Sequence, residues 1–163
     1  MIYQTGNSTE NLVSESLSVY LREQKLSDAN YVSLPDFLNN KMLVINSIRL
    51  GLSYPLFNSI REFSSFTDTD WAYFLDVSEK TLQRYKKTGI HTFKPIHSEK
   101  ILEIAEVVKS ALDVFGSMNA VKLWLHTPSA ALAGGKPMDF LKDSYGKELL
   151  LSELTRIDHG IFC

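Results

Sequence analysis

Apolar positions recur along this chain every three or four residues, and nowhere do they alternate for long enough to make a useful strand. In "STENLVSESLSVYLREQ", Val13, Leu17, Tyr20 and Leu21 share one helical face, and Ser8 or Thr9 is placed to cap it. After Pro35 the run "DFLNNKMLVINSIRLG" carries a second face and ends at Gly51, suited to a left-handed C-terminal cap. Pro55 opens the next helix. The most regular pattern is "SEKILEIAEVVKSALDVFG", in which Ile101, Ala105, Val108, Leu112 and Phe115 line one face between Ser98 as cap and Gly116 as stop. Beyond it, "SMNAVKLWLHTP" is stopped by Pro128, Gly134 and Gly135 make a turn, and "PMDFLKD" makes a short helical turn. The last helix, "KELLLSELTRI", sets Leu150, Leu154 and Ile157 together. The pattern predicts an all-α protein without internal repeats.

A helix-turn-helix lies in the middle. In "TDTDWAYFLDVSEKTLQRYKK", Thr67 caps a helix that buries Trp71, Phe74 and Leu75, and Ala72 is small where a second helix crosses closely. Val77 and Ser78 make the turn, with Asp76 where glycine is usual. Ser78 then caps a helix that buries Leu82 and Tyr85 and turns Lys80, Thr81, Gln83, Arg84 and Lys87 outward. Such a helix reads base edges from its N-terminal side chains while lysines hold phosphates. Lys80, Thr81, Gln83, Arg84, Lys86 and Lys87 are therefore the expected DNA-binding residues. The same pattern also fits two ordinary surface helices with solvating lysines.

Composition changes the picture only locally. Of 163 residues, 44% are hydrophobic and 22% charged, the balance of an ordinary globular chain. Residues 45–100 carry eight basic and six acidic groups, whereas 1–44 carry three and five and 101–163 six and eight. A nucleic-acid partner would thus meet the middle segment, although Asp68, Asp70, Asp76 and Glu79 weaken a lone copy's grip and favour two reading heads. The face from Ile101 to Phe115 is broad enough for self-association. The longest apolar run, "MLVI", is far too short for a membrane span, no signal-peptide pattern opens the chain, and the single cysteine fits a reducing compartment. A cytoplasmic protein is expected, with no membrane partner.

Catalytic chemistry finds little support. His91, His97, His126 and His159 lack metal-ligand spacing, and a histidine near Cys163 is a weak sign of a nucleophile. Asp139 closes a turn, Asp143 is solvated, and Gly134-Gly135 lacks the strand and long helix of a phosphate-binding loop. No catalytic residue, metal or cofactor is assigned. Phe115, Trp124 and Leu125 are expected in a core. The ending "LTRIDHGIFC" is unusual, because Ile161 and Phe162 need something to cover them.

Several ordered landmarks bear on that ending: Phe115-Gly116, Trp124-Leu125, Pro128, Ala131-Leu132, Gly134-Gly135, Pro137 with Asp139 and Leu141, and Arg156-Ile157 with Gly160, Ile161 and Phe162. This series resembles the toxin-binding domain of Xre, MbcA and ParS type antitoxins, and the preceding segment is similar to the family's Xre-like helix-turn-helix. The resemblance covers about residues 51–163. Glu103 departs from it, standing where a basic residue is frequent, and the glycine pair lies one residue closer to Pro137 than is usual. The organisation implied is an N-terminal helical extension (1–44, partly flexible), an Xre-like helix-turn-helix domain (45–97) and a toxin-binding domain (98–163). The function implied is that of a bacterial type II antitoxin that sterically neutralises a RES-domain toxin, whose fold is similar to ADP-ribosyltransferases and whose substrate is NAD. Arg156, His159, Gly160, Ile161, Phe162 and Cys163 would then enter the toxin's cleft, with Gly160 permitting close approach and Phe162 as apolar anchor. The alternative is a stand-alone regulator whose C-terminal half only dimerises.

Overall fold

A computed structural model describes residues 4–160, with side chains from Ser8 onward. Its helices are α1 (Gln4–Glu23), α2 (Leu34–Asn39), α3 (Lys41–Leu50), α4 (Tyr54–Ser64), α5 (Asp68–Leu75), α6 (Glu79–Thr88), α7 (Pro95–Phe115), α8 (Met118–Leu125) and α9 (Ser144–Asp158). Short 3-10 turns cover Ala130–Leu132 and Pro137–Phe140. The all-α class expected from the periodicity is the one found. The chain forms two compact units, Met1–Ile101 and Leu102–Cys163, and the division falls inside α7.

In the first unit α1 packs on α4 and α2, burying Val13, Leu17, Tyr20 and Leu21. Its start differs from the sequence reading: the helix begins at Gln4, so Ser8 and Thr9 lie inside it. Polar residues tolerate a first helical turn, and a serine or threonine favours a cap without compelling one. Two further serines do unexpected structural work. Ser14 Oγ accepts the Leu34 N–H at 2.9 Å, and Ser18 Oγ accepts the Val32 N–H at 2.8 Å. Placed four residues apart on one face, they hold the extended approach to α2 against α1.

The run after Pro35 is two helices. Asn40 leaves helical geometry (φ −95°, ψ 90°) and its Oδ1 accepts the Leu43 N–H at 3.2 Å, because asparagine caps a helix better than it continues one. Gly51 ends α3 with φ +90° and ψ 139°, outside the left-handed helical region expected of it. A Cβ there would stand 2.3 Å from the Phe93 carbonyl, so close approach as well as positive φ calls for glycine. Ser98 is also reassigned. Helix α7 starts three residues earlier, at Pro95, and Ser98 is fully buried within it, its hydroxyl accepting the Leu52 N–H at 2.9 Å. Beside that bond, Ser53 and Thr92 form an isolated antiparallel bridge. The Tyr54 N–H donates to the His91 carbonyl and the Phe93 N–H to the Leu52 carbonyl, both at 2.8 Å.

The second unit buries Leu102, Ala105, Val108, Ala111, Val121, Leu125, Leu132, Leu141, Leu150 and Leu154. Both α8 and α9 pack on the Pro137–Phe140 turn. Gly146 permits this for α9, since a Cβ would lie 2.0 Å from the Phe140 carbonyl. Across the same unit Lys147 pairs with Glu106 at 3.1 Å, and the Ser144 hydroxyl donates to Glu103 at 3.2 Å. Glu103, the departure noted in the sequence, thus accepts a hydrogen bond at the start of α9.

Candidate functional site

The first candidate surface is α6 and its support. Thr67 begins α5 with a capping box: its hydroxyl accepts the Asp70 N–H while Asp70 Oδ2 accepts the Thr67 N–H at 3.0 Å. The helix closes at Asp76, which takes the left-handed conformation (φ 55°, ψ 46°) that glycine would take more cheaply. Ser78 then caps α6 by accepting the Thr81 N–H at 3.1 Å. Beneath the pair, Trp71 is fully buried in edge-on contact with Phe57 (5.1 Å), Phe74 (5.7 Å) and Phe66 (6.1 Å). Packed aromatic side chains of this kind fix the crossing of two short helices.

On that support Lys80, Gln83, Arg84, Lys86 and Lys87 are exposed. Lys80, Gln83, Arg84 and Lys87 recur at the three- and four-residue spacing of one face. Thr81 stands apart, half-buried with its hydroxyl 2.8 Å from Ser78 Oγ, so it serves the cap. Three of the acidic groups that seemed opposed to an anionic partner are engaged locally. Asp68 pairs with Arg61 at 3.3 Å, Asp70 closes the capping box, and Glu79 accepts the Thr69 hydroxyl at 2.8 Å. At the C-terminal end of α6, Tyr85 stacks on His91 with ring centres 3.4 Å apart, and Arg84 lies over the Tyr85 ring at 5.6 Å. Burial pushes the His91 pKa below its ordinary value, helped by His97 and Arg84, while burial and Lys94 lower that of His97. Both environments therefore disfavour the charged imidazolium.

The second surface is the end of α9. Arg156 makes a 2.7 Å ion pair with Glu153, and its Nε is buried with no hydrogen-bond partner among the described residues. His159 caps the helix and is exposed. Gly160 follows with φ +70°, exposed and, among the described residues, with nothing within 4 Å of where a Cβ would stand. Arg156, His159 and Gly160 thus share one helix end, whereas Ile161, Phe162 and Cys163 lie outside the described residues. Phe115 and Trp124 are not core. They pair at 5.7 Å and are each only partly buried, while Leu125 is buried as expected. Among the described residues no cluster of three or more metal-ligating side chains is gathered, and no helix is long and apolar enough to cross a membrane.

Residues 44–106 match the family model of the antitoxin Xre-like helix-turn-helix domain, and residues 110–160 match that of the antitoxin Xre/MbcA/ParS C-terminal toxin-binding domain. The chain belongs to the Xre/MbcA/ParS antitoxin family. The antitoxin is 26% identical over 121 residues to the antitoxin Xre of Yersinia enterocolitica, a match covering 74% of this chain and 81% of that protein. A chain in the crystal structure of the M. tuberculosis MbcT-MbcA toxin-antitoxin complex superimposes with a TM-score of 0.53. It is 18% identical and covers 66% of this chain and 94% of its own. At that identity the likeness is one of fold.

Proposed function

We propose that this antitoxin binds a RES-domain toxin and closes its NAD site with the segment Arg156, His159, Gly160, Ile161, Phe162 and Cys163, while α6 holds operator DNA. The observation that carries this reading is the end of the toxin-binding domain, where the partly exposed cationic side chain of Arg156 and the exposed left-handed Gly160 share one helix end. An apolar residue following such a glycine can enter a cleft that a regular helix is too wide to enter. In the first unit, Lys80, Gln83 and Arg84 reach bases, Lys86 and Lys87 hold phosphates, and Thr81 preserves the helix start. Two copies present two reading heads, joined through their helical units, and the whole operates in the cytoplasm where NAD and operator DNA are found. Residues 45–97 and 98–163 divide these two tasks.

The test is co-expression with a RES-domain toxin, reading growth and cellular NAD. The full chain should restore both. A chain lacking residues 159–163 should melt at the same temperature and restore neither. Full rescue by the truncated chain would overturn the assignment of the tail.

A further inference from the structure

Helix α9 carries more than its terminal segment. Tyr145 is 85% exposed and Leu149 43% exposed, with Ser152 and Arg156 following on the same side. Positions 145, 149, 152 and 156 fall within about 60° of one another around the helix, at 100° per residue. This stripe lies about 150° around the helix from the buried pair Leu150 and Leu154, and it leads toward Gly160. From Tyr145 to Gly160 it spans about 22 Å at 1.5 Å per residue. Its chemistry is that of an energetic centre in a protein interface: an aromatic ring, a branched aliphatic side chain, a small residue, and a partly exposed arginine oriented by Glu153.

Resting on the proposed function, we propose that Tyr145 and Leu149 are a second, separate anchor for the toxin, gripping its surface outside the active site while the tail occupies the cleft. Two facts favour the toxin over other occupants. The stripe lies on the last helix of the segment matched by the toxin-binding family model, and it is continuous with the end of the chain assigned to the cleft. The complementary surface is an apolar depression for Tyr145 and Leu149 with a carboxylate about 16 Å away, facing Arg156. The division of labour follows: α9 supplies affinity and orientation, and the tail supplies inhibition.

The experiment measures the affinity of the full-length antitoxin for a purified RES-domain toxin, with a melt of each variant. Tyr145→Ala with Leu149→Ala should weaken binding at least about tenfold, the scale of one lost interface anchor, without lowering the melting temperature. Leu123→Ala removes an aliphatic side chain that is 72% exposed elsewhere in the same unit, and should change nothing. Tyr145→Ala alone carries the test if the double variant melts lower. Toxin binding that survives these changes but is lost on deleting residues 159–163 would overturn the anchor and leave the proposed function standing. No binding by the unaltered chain would overturn both. A double variant that shifts only the mass of the isolated antitoxin in light scattering would assign the stripe to a second copy and overturn the anchor as well.

Discussion

The Tyr20 hydroxyl donates to the Gly51 carbonyl at 2.8 Å with the Ser47 carbonyl at 3.2 Å, tying α1 to the end of α3. Burial raises its pKa to about 12, so the bond survives any pH at which the protein is handled. Tyr20→Phe keeps the ring and removes the donor, and should cost about 1–3 kcal/mol in urea unfolding because buried carbonyls lose their partner. Gly146→Ala should cost a similar amount, about 1–3 kcal/mol, in the second unit, as the new methyl overlaps the Phe140 carbonyl and α9 must lift. The two residues differ in how far sequence announces them. Tyr20 shows its burial through spacing from Val13 and Leu17, although the acceptor is invisible. Gly146 looks like a passenger near a helix start, since its reason is a carbonyl brought there by tertiary packing. Ser98 is the intermediate case: its cap chemistry is legible, but the amide it serves belongs to Leu52, 46 residues away in the chain.

Helices α5 and α6 were readable almost to the residue, because Thr67 and Ser78 announce their starts through local bonds that need no distant partner. Ser78→Ala should lower stability by about 1 kcal/mol and loosen the first turn of α6, where the proposed DNA contacts lie. Asp76→Gly should raise stability by up to about 1 kcal/mol, relieving the left-handed strain between the two helices. Thermal melts distinguish these opposite signs. Arg84→Ala should leave the melt unchanged and reduce operator discrimination by about 1–3 kcal/mol in a mobility shift with toxin present. The split between α2 and α3 was less legible. An apolar face continues across Asn40, and periodicity does not register a single residue that prefers to cap.

For the whole molecule, acidity acts on the first unit. His91 and His97 both titrate below their unfolded value of about 6.5, so the unfolded chain takes up protons that the folded one refuses. The stability they contribute is complete above about pH 6.5 and fades as pH falls through the lowered values. Melting temperature should therefore drop between pH 7.5 and 5.5, and His91→Gln should flatten part of that slope. The end of α9 was legible because Gly160, which takes a positive φ, has no use in a helix. The stripe at Tyr145 and Leu149 was not, since only a known buried face shows which side of α9 is uncovered. The bridge at Ser53 and Thr92 has one more consequence. It brings Leu52 and Phe93 within hydrogen-bonding distance, so the segment between them leaves and re-enters the rest of the unit at nearly one point. Domain insertions are tolerated where the ends lie together, and this segment has that property. Helices α4 to α6 are thus an excursion closed at its base by backbone hydrogen bonds, and α4 anchors that excursion to α1.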